Sequence, residues 1–96
     1  MRRRAVVVDV TDPDLEGPPS CLLYLLPVGQ EREVVLALHG TTPDVRDLST
    51  WIAGRAVVIF TTSREGVEGT CTVCVAFAHV LLARVSAYTA TRHSTF

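Results

Sequence analysis

The sequence predicts a single α/β domain, a mixed sheet in two or three layers with the order β-β-β-α-β-α-β. Three observations carry this. Ninety-six residues suffice for one domain and are too few for two. Hydrophobic residues make up 48% and charged ones 20%, enough to build a core and too apolar for disorder. Finally, short β-type apolar runs alternate with two stretches of helical period.

Residues 5–10 read as a short buried strand, ended by Thr11-Asp12-Pro13-Asp14, whose residue types favour a turn. A loop through Gly17-Pro18-Pro19 leads to a second apolar run over 21–26. A short polar link then leads to a third over 33–39, which predicts an antiparallel hairpin. Thr42 suits an N-cap, Pro43 the first helical position, and Asp44 the positive end of the helix dipole. Val45, Leu48, Trp51 and Ile52 make an apolar stripe at helical spacing, and Gly54 suits the residue that ends the helix. Residues 56–61 read as a strand buried on both faces, as a central parallel strand would be. Val73, Phe77, Val80 and Leu81 mark one face of a second helix over 71–83, and a last strand follows over 85–91.

No apolar run approaches the roughly 20 residues needed to span a bilayer. The arginines at 2–4 precede only four apolar residues, fewer than the roughly 7–15 of a secretory signal. The expectation is a chain that starts at Met1 in a cytoplasmic setting. Net charge is −1, which neither points to nor excludes nucleic acid. Three cysteines rule out a full disulfide framework, and two of them form a C-x-x-C pair.

Cys71 and Cys74 open the second predicted helix, and His39 ends the third predicted strand. Both helix starts fall on the sheet edge where α/β proteins collect ligands. In a first helical turn, residues i and i+3 share a face; in a strand they point to opposite faces and cannot share a ligand. Two thiolates and one imidazole form a three-ligand zinc set that leaves a fourth position for water. Zinc lowers the pKa of that water to about 7 and so supplies hydroxide near neutral pH.

The same layout is that of the zinc nucleobase deaminases, with H-x-E followed by P-C-x-x-C. Glu68-Gly69-Thr70-Cys71-Thr72-Val73-Cys74-Val75, with Leu81-Leu82 further on, resembles the bacterial toxin-type DNA cytosine deaminases. Val58-Ile59-Phe60 falls at a similar distance from the histidine, and the likeness covers roughly residues 39–91. The resemblance implies a deaminase-like fold, a zinc ion on His39, Cys71 and Cys74, DNA as partner, and attack of zinc-bound water on C4 of a flipped-out cytosine. It also implies an immunity-type protein partner and, for a toxin, delivery into another cell. Thr41 stands where the family has its proton-shuttling glutamate, and a threonine hydroxyl has no suitable pKa for that work.

Blander readings stand beside this one. Cys21 and Trp51 read as core, His79 as structural, His93 as part of a frayed tail, and Arg2, Arg3 and Arg4 as a solubilising terminus. A thioredoxin-like redox role is disfavoured, because only 22 residues follow Cys74 and none is proline. The contrasting function is a non-catalytic binding module for a protein or nucleic acid, or a homodimer paired through an edge strand.

Overall fold

The computed structural model describes residues 6–11, 17–64 and 68–88. It is an α/β domain built on a mixed six-stranded sheet with one α-helix among the described residues. The strands are β1 (Val7–Asp9), β2 (Cys21–Pro27), β3 (Val34–His39), β4 (Val57–Ser63), β5 (Cys71–Ala76) and β6 (Val80–Ala87); the helix α1 spans Val45–Ala53. No helix among the described residues is long and apolar enough to cross a membrane.

The hairpin of β2 and β3 forms as the sequence predicts, with Leu23 opposite Leu36 and Cys21 opposite Leu38. β4 is central, but it is parallel only to β1 and antiparallel to β3 and β5. The short β1 sits beside the first half of β4, and β3 pairs with its second half. β2 takes β6 as its second partner, with Tyr24 opposite Arg84.

The second helix expected over 71–83 is instead β5, a single 3-10 turn at Phe77–His79, and the start of β6. The competing signal is alternation. Val73, Val75 and Phe77 turn inward while Thr72, Cys74 and Ala76 are exposed. β-branched Thr70, Thr72, Val73 and Val75 favour the pleated form, and a short apolar run does not by itself separate the two periods. The order is therefore β-β-β-α-β-β-β. The last strand begins five residues before the expected one, and residues 89–91 lie outside the described residues.

This turn shapes the sheet. It joins β5, beside β4, to β6, beside β2, and so connects the two ends of the path β5-β4-β3-β2-β6. Laid flat, those four steps of about 4.8 Å would separate the ends by roughly 19 Å. Three residues of 3-10 helix rise only about 6 Å. The sheet must therefore curl. The closure is held by Phe77 N–H donating to Ala56 O (2.8 Å) and Val28 N–H donating to His79 O (2.9 Å).

The core fills the inside of the curl: Leu23, Leu25, Leu38, Val58, Phe60, Val75, Phe77 and Val80, with Cys21 at one end. α1 closes it with Leu48 and Trp51. The Trp51 ring packs edge-on to Phe60 at 5.8 Å and tilted against Phe77 at 5.5 Å. The expected core roles of Cys21 and Trp51 hold.

The helix ends differ from the sequence reading in detail. Asp44, not Thr42, is the N-cap. Its carboxylate accepts from Asp47 N–H (2.9 Å) and the Asp47 carboxylate accepts from Asp44 N–H (3.0 Å), a reciprocal capping box. Pro43 thus lies before the helix. At the other end Gly54 keeps a right-handed conformation, and the left-handed residue is Arg55, at φ 54°. Glycine is still favoured at 54, because a Cβ there would come within 3.1 Å of Thr50 O.

Candidate functional site

β5 decides how the two cysteines of the C-x-x-C motif are presented. Directly opposed residues of antiparallel strands share a face of the sheet. Cys71 lies opposite Thr62, and Cys74 opposite Ile59. Thr62 is in turn opposite Leu38 and Leu38 opposite Cys21, so Cys71 belongs to the inner row. Its sulfur is 3.3 Å from the Thr62 hydroxyl. Cys74, three residues on, points to the other face, and both thiols are exposed.

His39 is opposite Thr61, which is opposite Thr72. It therefore shares a face with Cys74 but stands two strands away, roughly 10 Å across the sheet. Its ring is buried, at 6% exposure, and Nε2 makes a 2.8 Å hydrogen bond with Ser63 Oγ. Cys71 is thus on one face, with Cys74 and His39 apart on the other. The three predicted zinc ligands do not fit a single tetrahedral set in this arrangement. Among the described residues no group of three His, Cys, Asp or Glu side chains is placed to hold a metal.

Thr41 follows Gly40, whose φ of 79° turns the chain out of β3. The Cys21 thiol donates to the Thr41 carbonyl at 3.6 Å, and Gly40 N–H donates to Ser20 Oγ at 3.1 Å. The loop after β3 is therefore tied back to the start of β2. Burial pushes the Cys21 thiol pKa up from its ordinary value, partly opposed by the Thr42 hydroxyl. His79 lies exposed on the 3-10 turn. His93, Arg2, Arg3 and Arg4 lie outside the described residues.

Two features were not legible beforehand. One is the His39–Ser63 pair, since a 24-residue separation carries no local signal. A serine hydroxyl on an imidazole is also the start of a nucleophile arrangement, but that chemistry needs a third group to orient the base. Among the described residues His39 has no carboxylate hydrogen-bond partner.

The other feature is an apolar cleft of about 400 Å³ between α1 and β6, lined by Val45, Leu48, Ile52, Leu81, Leu82 and Ala83. Val45 and Leu81 read in the sequence as members of apolar helical stripes. They are instead 74% and 64% exposed, and Leu82 is 50% exposed. The register shift between Leu26 and Pro27 explains Leu81: Leu26 pairs with Leu82 and Pro27 with Val80, leaving Leu81 as the extra residue of a bulge.

β6 adds a further property. It pairs with β2 and with no other strand among the described residues, so one side of its backbone is open. Arg84 is its one charged residue, and that side chain turns away from the open side. The guanidinium lies 3.9 Å over the Tyr24 ring and donates through Nε and a terminal nitrogen to both Glu33 carboxylate oxygens, each at 3.0 Å. The hydrogen bonds hold the Glu33 carboxyl below its usual pKa.

No protein-family model, no curated protein and no solved structure matches this chain.

Proposed function

We propose that this chain is a non-catalytic protein-interaction module, working through the cleft between α1 and β6. The observation that carries this reading is the cluster of Val45, Leu81 and Leu82 on the surface beside an unpaired strand edge. Large aliphatic side chains gathered at one place mark interaction surfaces more often than scattered ones do. An unpaired edge beside a helix is the setting in which an extended segment adds as a further strand, held by main-chain hydrogen bonds and anchored by side-chain pockets. The cleft carries no charged side chain, and its one polar lining residue is Ser49. Its partner is therefore an uncharged, aliphatic strand of a protein.

The test is selection from a displayed library of random peptides on the folded full chain. Enrichment of extended sequences with alternating aliphatic residues, abolished by Leu82→Glu, supports the reading. No enrichment over the Leu82→Glu control overturns it.

A second reading keeps the toxin-type cytosine deaminase, on the strength of the Glu68–Val75 motif and its spacing from His39. It requires Cys71 and Cys74 to turn to one side and Thr41 to do without the family's glutamate. One equivalent of zinc that is lost in Cys71→Ser, together with uracil formation on single- or double-stranded DNA, would establish it.

A further inference from the structure

We infer that the strand received by the cleft is β6 of a second copy of this chain, so that two copies associate about a two-fold axis along their β6 edges. The inference rests on the interaction reading above and supplies its partner.

The partner needs an uncharged aliphatic strand with a free edge, and β6 is such a strand. Val80, Leu81, Leu82, Ala83, Val85 and Ala87 fill six of its eight positions. A two-fold interface brings the same patch together from both sides, so a surface must complement itself. This one does: aliphatic meets aliphatic, and an open backbone edge meets an open backbone edge running antiparallel.

Natural edge strands are commonly guarded by an outward charge. Here the one charge is engaged elsewhere, because Arg84 is spent on Glu33 and Tyr24, toward β2 and β3. The axis cannot pass through Arg84 itself, since that would set two like charges opposite one another. It passes nearer Leu82 and Ala83, where the α1 residues Val45 and Ile52 of each copy flank the other's strand.

A standard interface buries about 800 Å² per partner. Three exposed aliphatic side chains alone fall short of that, so the contact also needs main-chain pairing along β6, a strand roughly 26 Å long, and the α1 flank. The β5 edge is the weaker alternative. It is shorter, and its exposed side chains are the small Cys71, Thr72, Cys74 and Ala76.

The experiment is sedimentation velocity on the full chain across a concentration series, for the wild type, Leu82→Glu, Leu81→Glu and the remote control Val7→Glu. Val7 is also exposed (62%) but sits on β1, at the other end of the strand path from β6. Circular dichroism of each variant checks that it folds. The expected result is a wild-type dimer, a Val7→Glu dimer of unchanged affinity, and dimer dissociation constants raised at least about thirtyfold in the two leucine variants. A wild type that stays monomeric to the highest concentration overturns the inference, as does a dimer that folded Leu82→Glu leaves intact. The peptide selection separates the two levels. A monomer that still enriches aliphatic strands removes the second copy as partner and keeps the cleft as a binding site. A monomer that enriches nothing removes both.

Discussion

The buried His39 imidazole is joined to the Ser63 hydroxyl at 2.8 Å, and this bond ties the end of β3 to the end of β4. It lies where β3 and β4 are paired for only three residues, Ala37–His39 against Thr61–Ser63. A side-chain bond there reinforces a short ladder, and every buried side-chain nitrogen and oxygen among the described residues has such a partner.

Removing one partner should therefore cost more than removing both. Ser63→Ala leaves a buried ring nitrogen unpaired and is expected to lower stability by about 1–3 kcal/mol. His39→Leu combined with Ser63→Ala should cost less than the two single changes added together. Urea unfolding followed by circular dichroism measures both. A strictly additive cycle would show that the pair contributes nothing of its own.

Trp51 makes α1 part of the core through Phe60 and Phe77. Trp51→Ala opens a large cavity beneath the only described helix and should cost about 3–5 kcal/mol. Urea midpoints by circular dichroism test this. A loss below about 1 kcal/mol would mean that the helix is not a structural lid.

The thiols divide by exposure. Cys71 and Cys74 should react at once with a thiol reagent, and Cys21, at 1% exposure, only after denaturation. The raised Cys21 pKa also has a sign. A thiol held neutral in the fold stabilises it fully below the unfolded value of about 9.0, and that contribution is lost as pH rises through the folded value. Stability of the wild type should thus fall more steeply above pH 9 than that of Cys21→Ala. Equal slopes in the two proteins would contradict the assignment.

Chelation tests the metal question apart from the fold. With Cys71 and Cys74 on opposite faces of β5, the melting temperature is expected to be unchanged by excess chelator. A structural zinc would contribute strongly to folding, so a fall of many degrees would favour the deaminase reading.

The sequence made part of this fold legible and misled on the rest for a definite reason. The β2–β3 hairpin and α1 have unambiguous patterns, and Cys21 and Trp51 were placed correctly in the core. Residues 71–83 satisfy two periods at once: Val73 and Phe77 are four apart and also stand on alternate positions with Val75 between. The helical reading rests on Val73, Phe77, Val80 and Leu81 at helical spacing, and a helix would also put both cysteines on one side. The strand that forms places Cys71 and Cys74 on opposite faces, so the element misread is also the one that carries the motif. The cleft was illegible for a different reason. An exposed leucine on a bulge looks the same in a sequence as a buried one on a stripe.

The way β2 is completed bears on how the chain is made. Its first partner, β3, lies within one hairpin, but Tyr24 meets Arg84 only after 60 further residues have been added. During synthesis β2 waits with half its backbone unsatisfied, and loop closure over that distance is slow. A nascent chain paused before β6 would present an aliphatic strand edge of its own, so arrest at that point is where chaperone dependence or mispairing between neighbouring nascent chains should concentrate.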